Sequence, residues 1–145
     1  MSTDEVSQEA TADPRTYAII GAAMAIHNKL GGGFLEGVYM EALAIELQRK
    51  QIPFESEVWL PITYEGVLLK TRYRCDFLCY DEIVVEVKSV GQLAETHEAQ
   101  TINYLKAGRH PLGLLMNFRG PRLVIRRFVN GDARKRAESV QALDT

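Results

Sequence analysis

The stretch IVVEVK at residues 83–88 decides the fold. Four of its six residues are β-branched, which favours a strand buried in a sheet. Alternate residues of a strand share a face, so Glu86 and Lys88 point the same way with Cα atoms about 6.6 Å apart. The first, third and fifth residues then fill the opposite, core-facing side. An ionised carboxylate in so apolar a strand is costly unless it is paired or binds a metal. The stretch therefore predicts both a sheet and a candidate site.

A second carboxylate, Asp76, lies on the preceding predicted strand, with nine residues between it and Glu86. A three-residue loop at residues 80–82 sets the two directly opposite each other, whereas a two-residue loop puts them on opposite faces. Like charges directly opposite destabilise a sheet unless a cation lies between them. Hard oxygen ligands of this kind suit Mg²⁺ or Mn²⁺. The spacing is equally compatible with an exposed Glu-Lys pair on a strand edge and Asp76 in a turn.

On either side of this stretch, the sequence predicts one α/β domain with its elements in the order helix, helix, strands, helix, strands. Asp13-Pro14 is typical of a helix start, and this helix ends at the glycines that begin with Gly31. Two further helices are expected at about residues 35–50 and 96–107. Strands are expected at residues 57–64, 67–73, 74–80, 83–88, 112–117 and 122–129, with a hairpin turn at Glu65-Gly66. Residues 1–13 are expected to be a disordered tail, 14–130 the folded domain, and 131–145 a polar tail that can form a short helix.

The net charge of −2 conceals an uneven distribution. Residues 1–100 carry 8 Lys and Arg against 16 Asp and Glu, whereas residues 101–145 carry 9 against 3. A basic C-terminal part suggests an anionic partner, although a solvated basic surface explains it equally well. No apolar stretch approaches the roughly 18 residues of a membrane span, and the acidic start lacks the features of a secretory signal. We therefore expect a cytoplasmic protein without membrane association, in which Cys75 and Cys79 are reduced.

Several motifs together resemble one known family. The run at residues 33–39, GFLEGVY, matches the G-x-x-E-x-x-Y signature of the GxxExxY proteins, which belong to the PD-(D/E)XK nuclease superfamily. The resemblance continues through RCDF at 74–77, EVKS at 86–89, His97, Gln100, NYL at 103–105 and GLLMNF at 113–118. It covers roughly residues 17–129. Each motif is modest alone, but five in the same order and spacing are fairly specific.

This resemblance implies a mixed central sheet flanked by helices, with a restriction-endonuclease-like core and a Mg²⁺-dependent site. Asp76 and Glu86 would be metal ligands together with the Val87 carbonyl, and Lys88 would be the catalytic lysine. The remaining expected site residues are an acid on the first core helix and two polar residues on a later helix: Glu36, Gln100 and Tyr104. The expected activity is hydrolysis of phosphodiester bonds in nucleic acid, with DNA favoured over RNA.

A basic group near the C-terminal end is expected to contact the nucleic-acid backbone without sequence preference: Arg119, Arg122, Arg126 and Arg127. The main alternative is a nucleic-acid-binding module that keeps the nuclease fold without catalysis. His97, Gln100 and Tyr104 form one polar stripe along the third predicted helix. Without the resemblance, this stripe would be interpreted as a solvated face, and Tyr39 as a core residue. Self-association into a homodimer is left open.

Overall fold

The computed structural model describes residues 13–132. The predicted tails, residues 1–13 and 131–145, lie outside this range except for Asp13, Gly131 and Asp132. The helices are α1 (Pro14–Leu30), α2 (Glu36–Arg49) and α3 (Glu95–Gly108). The strands are β1 (Phe54–Leu60), β2 (Thr63–Tyr64), β3 (Val67–Leu68), β4 (Tyr73–Cys79), β5 (Ile83–Lys88), β6 (Leu112–Asn117) and β7 (Val124–Val129).

A five-stranded mixed sheet in the order β1-β4-β5-β6-β7 forms the centre of the fold. Only β5 and β6 are parallel among these neighbours, because α3 provides the crossover that a parallel pair requires. Buried residues of α1 and α2 form one core with the sheet. Those of α3 form a second core with it, the α3-side core. The expected α/β domain, with a mixed sheet flanked by helices, is confirmed.

The strand β5 is buried on both faces. Ile83, Val85 and Val87 belong to the core shared with α1 and α2, as the alternation predicted. Val84 belongs to the α3-side core, so the face that carries Glu86 is covered as well. The carboxylate of Glu86 is consequently held in the interior, and only 2% of the residue is exposed.

The predicted signals at both ends of α1 are confirmed. The Asp13 carboxylate accepts a hydrogen bond from the Arg15 amide at 2.8 Å, and Pro14 occupies the first helical position. The helix stops at Gly31, whose φ of 73° is readily adopted only by a residue without a side chain. No helix within residues 13–132 is long and apolar enough to cross a membrane.

The predicted long hairpin at residues 57–73 is wrong in its strands and right in its turn. Glu65 and Gly66 form the turn with φ of 51° and 76°, but β2 and β3 are only two residues long. The strand preceding the hairpin, β1, pairs with β4 instead. Pro61 lies between β1 and β2, and its missing N–H interrupts the run that was predicted as one strand.

Candidate functional site

The register of β4 on β5 brings Asp76 and Glu86 together. Cys79 pairs with Ile83 and Phe77 with Val85, across a three-residue loop at residues 80–82. One more step in the same register sets Asp76 opposite Glu86. Of the two loop lengths considered from the sequence, the three-residue loop is the observed one.

At this step the backbone pairing stops and the two carboxylates replace it. Glu86 Oε2 accepts a hydrogen bond of 2.6 Å from the Asp76 amide, and Asp76 Oδ2 accepts one of 2.8 Å from the Val87 amide. Each side chain thus crosses to the backbone of the other strand. Within residues 13–132, no hydrogen bond engages the second oxygen of either carboxylate. Those two oxygens can serve as cation ligands.

The strand β4 loses its regular alternation at Asp76. Cys75 packs in the α3-side core, whereas Phe77, two residues later, packs in the core of α1 and α2. Regular alternation would put both on one face. Across from Asp76, Glu57 of β1 has a φ of 53° and takes no part in the ladder. This irregular step positions Asp76, and simple strand parity could not have predicted it.

Burial governs the electrostatics of the carboxylate pair. Burial first, and then the neighbouring Asp76 charge, raise the pKa of Glu86 to about 8. Burial also raises the pKa of Asp76, against the Val87 amide and Lys88, which lower it. Glu57, a residue for which sequence reasoning had no signal, adds a further negative charge near Asp76. Two buried like charges of this kind favour a bound cation or a retained proton.

The predicted lysine and the helix-borne acid face each other beside this pair. Lys88 Nζ lies 3.9 Å from Glu36 Oε1. Glu36 is the first residue of α2, and its carboxylate there is favoured by the helix dipole. Lys88 also acts electrostatically on both Asp76 and Glu86. The structure therefore groups all four predicted charged residues in one place.

The G-x-x-E-x-x-Y run has a clear structural role, which is to hold the loop that presents Glu36. The Tyr39 hydroxyl donates to the Gly31 carbonyl at 2.7 Å and accepts from the Phe34 amide at 3.2 Å. Gly33 has a φ of 99°, a region that favours glycine. Tyr39 is a fully buried core residue, as its simpler interpretation held, and it also closes this loop.

The C-terminal end of β5 is fixed from both sides. The Ser89 hydroxyl donates to the Phe34 carbonyl at 2.6 Å, which joins the end of β5 to the loop before α2. The buried Asn117 bonds the Val90 backbone twice, accepting from its amide at 3.0 Å and donating to its carbonyl at 2.9 Å. The backbone around Lys88 is therefore held by hydrogen bonds to two neighbouring segments.

Helix α3 brings Gln100 and Tyr104 to the α3-side face. Gln100 Nε2 donates to the Tyr104 hydroxyl at 2.9 Å. Tyr104 is buried, and burial followed by the Glu86 charge raises the pKa of its hydroxyl. Of the polar stripe, His97 serves the helix itself, because its Nδ1 accepts from the Ala94 amide at the N-terminus. Gln100 and Tyr104 of the stripe therefore lie beside the candidate site, whereas His97 caps the helix.

The four arginines expected to contact nucleic acid do not form one surface. Arg119 and Arg122 are exposed on the turn between β6 and β7. Arg126 is half-buried and forms an ion pair with Glu98 of α3. Arg127 is 3% exposed, so its guanidinium does not face a solvent-borne phosphate. Contact of these arginines with nucleic acid stays a prediction, and Arg127 lies on the same face of β7 as the core residue Ile125.

The donor chemistry of the site suits a hard divalent cation. Among residues 13–132, no group of three or more His, Cys, Asp or Glu side chains is placed to hold a metal. Two carboxylates with one unengaged oxygen each do meet, and a backbone carbonyl oxygen such as that of Val87 is a hard donor of the kind that suits these ions. The residues present therefore fit Mg²⁺ or Mn²⁺ held by two side chains and the backbone.

Comparison with known proteins places the chain in a family. A family model of the PD-(D/E)XK nuclease superfamily matches residues 13–128, which is most of the chain. The chain belongs to the PD-(D/E)XK nuclease superfamily. Among solved structures, the crystal structure of SSO0001 is similar with a TM-score of 0.54 and 19% identity, over 99% of this chain and 72% of that one. This likeness shows the fold alone. No curated protein matches the chain.

Proposed function

We propose that the chain is a metal-dependent nuclease that hydrolyses phosphodiester bonds, with DNA as the preferred substrate. The observation that carries the proposal is the pair Asp76 and Glu86, brought together in the interior with Lys88 beside it. A module that only binds nucleic acid has no use for buried acids near a polyanion. Membership of the nuclease superfamily supports the same activity.

Asp76, Glu86 and the Val87 carbonyl would hold Mg²⁺ or Mn²⁺. When bound, the ion offsets negative charge on the phosphate and lowers the pKa of a water molecule. The hydrogen bonds to the Asp76 and Val87 amides orient the two carboxylates before any ion binds. Preorganisation of this kind reduces the cost of assembling the site.

Lys88 would act on the reacting atoms. Its ammonium group can position the attacking water, accept its proton after losing its own, or stabilise negative charge that develops on the phosphate. Glu36 restrains Lys88 through their ion pair and could hold water or a second ion at the mouth of the site. Gln100 and Tyr104 would line the α3 side and bond the substrate or the Glu86 carboxyl.

The arrangement of the loop before α2 supports assignment to the GxxExxY proteins within the superfamily. Gly33, Glu36 and Tyr39 each have a separate physical task there: a φ of 99°, the contact with Lys88, and closure of the loop. A homodimer remains a prediction, which the mass in solution would test.

One assay tests the proposed activity. Purified protein is incubated with single- and double-stranded DNA and RNA, in Mg²⁺, Mn²⁺ or EDTA. We expect cleavage of DNA that requires the divalent ion and that is lost in Asp76→Ala. Binding without cleavage in every metal condition would favour the non-catalytic module instead.

A further inference from the structure

An exposed tryptophan flanked by arginines lies on the edge strand next to the site. Trp59 is the single tryptophan of the sequence, and 49% of its surface is exposed. Arg72 Cζ lies 4.3 Å from the centre of its ring, and Arg74 Cζ lies 5.3 Å from it. The core uses none of these three side chains. The Arg72 guanidinium covers part of the ring, and the exposed half of Trp59 remains open to a further partner.

The position of this aromatic patch, defined as Trp59, Arg72 and Arg74, links it to the candidate site. Trp59 on β1 pairs with Arg74 on β4. Two residues further along the same strands are Glu57 and Asp76, and the Glu57 charge acts on Asp76. At about 3.3 Å per residue, Trp59 and Arg74 lie roughly 7 Å along the sheet from Asp76.

The patch also faces away from the α3-side core. Val58, Leu60, Tyr73 and Cys75 alternate with Trp59 and Arg74 and pack into that core. The tryptophan and its paired arginine consequently point to the other side of the sheet, where both are exposed. Because β1 is the edge strand of the sheet, a flexible single strand that rounds this edge can contact the patch on one face and approach the acidic pair from the other.

We propose that the aromatic patch binds single-stranded nucleic acid by stacking an unpaired base on Trp59. Arg72 and Arg74 contribute guanidinium planes and positive charge for the adjoining phosphates. This inference rests on the proposed nuclease function and specifies its substrate as a strand with unpaired bases. A duplex keeps its base faces stacked inside, so it offers the ring no partner.

The two arginines also place positive charge near the acidic site. Residues 1–100 carry twice as many acidic as basic side chains, and the site itself is acidic. A polyanion approaching Asp76 and Glu86 requires nearby positive charge. Arg74 and Arg72 provide it two and four residues before Asp76 in the chain, whereas Arg126 is already paired with Glu98.

The intrinsic fluorescence of Trp59 reports this contact directly in the wild-type chain. The full chain is titrated with dT₁₂, with rU₁₂ and with a 12-base-pair duplex, in EDTA and again with Mg²⁺ on a Lys88→Ala background. We expect both single strands to quench the emission saturably and the duplex to leave it nearly unchanged. The dT₁₂ and rU₁₂ arms compare a DNA strand with an RNA strand. Equal quenching by the duplex, or no quenching by either single strand, would overturn the proposal.

Variants test the same contact by the anisotropy of labelled dT₁₂. Trp59→Leu should weaken binding about five- to hundredfold, the range for loss of one stacked base, whereas Trp59→Phe keeps an aromatic face and should stay within a few-fold of wild type. Arg72→Ala with Arg74→Ala should weaken binding and flatten its salt dependence. Tyr17→Leu and Arg49→Ala, exposed residues on α1 and α2, are the matched controls. Wild-type affinity in Trp59→Leu would overturn the proposal.

The outcomes separate the patch from the catalytic site. Quenching without cleavage in any metal would retain the patch and refute the nuclease. Metal-dependent cleavage that is unchanged in Trp59→Leu, with no quenching, would retain the nuclease and refute the patch.

Discussion

The buried carboxyl of Glu86 predicts an unusual pH dependence for the stability of the metal-free protein. Its pKa is raised from a usual value of 4.5 to about 8 by burial and by Asp76. The folded state therefore holds the proton more tightly than the unfolded state does. The stabilising contribution is fully present below about pH 4.5 and is lost as the pH rises through about 8. Most soluble domains with paired carboxylates behave in the opposite way.

The perturbation that isolates this effect is Glu86→Gln. Glutamine keeps an oxygen to accept the Asp76 amide but carries no charge. Because each pKa unit corresponds to about 1.4 kcal/mol, the variant should be more stable than wild type on the order of a few kcal/mol above pH 8. At pH 4.5–5 the two proteins should be close to equal. With roughly 3–5 °C per kcal/mol, the difference in melting temperature is readily measured.

The assay is a series of thermal melts in EDTA from pH 4.5 to 9, for wild type and variant. Only the difference between the two proteins is used, because His110, whose pKa burial lowers, contributes a trend of opposite sign to both. A second series with 10 mM Mg²⁺ should stabilise wild type and leave Glu86→Gln nearly unaffected. Parallel melting curves across the whole pH range would refute the electrostatic account of the site.

Three further predictions concern stability and binding. Gly32→Ala should destabilise the fold by several kcal/mol, because its Cβ would lie 2.3 Å from the Arg119 carbonyl oxygen. Gly21 lies in open space within α1, so Gly21→Ala should stabilise the fold by up to about 1 kcal/mol. Thermal melts of the two variants test both expectations. Tyr39→Phe should lower stability by about 1–3 kcal/mol and slow cleavage, since the loop that presents Glu36 loses both hydroxyl bonds; a wild-type melt would contradict this. Arg122→Ala should weaken nucleic-acid binding and reduce its salt dependence, while Arg127→Ala should act on stability rather than on the salt slope, as filter binding at several salt concentrations would reveal.

The elements with strong local signals were predictable from the sequence. Asp13-Pro14 and Gly31 mark the ends of α1, and the β-branched residues of β5 define the central strand. The loop at residues 80–82 was one of two possibilities that the spacing allowed. These features depend on residues close together in the chain, so periodicity and turn chemistry suffice for them.

Features that depend on distant pairing were not predictable in the same way. The partner of β4 is β1 rather than the adjacent hairpin strand, which only the assembled sheet decides. The side chains of β4 stop alternating between the two faces at Asp76, and this irregularity involves both Glu57 on β1 and the facing strand β5. Burial of Arg127 likewise follows from the face that β7 turns to its neighbours. Strand spacing singled out Asp76, Glu86 and Lys88, and the resemblance added Glu36, but neither predicted the contacts that hold these residues.

The most direct test of the central claim compares Lys88→Ala with wild type in both metal binding and cleavage. Lys88 is not a proposed metal ligand, so Mg²⁺ should still raise the melting temperature of the variant. Cleavage at saturating Mg²⁺ should fall by about 10²–10⁴-fold, the usual contribution of a positioned proton-transfer group. Asp76→Ala should lose both properties, and Glu36→Gln should retain part of the activity. Cleavage by Lys88→Ala at the wild-type rate, in a variant that still binds Mg²⁺, would contradict the proposed mechanism.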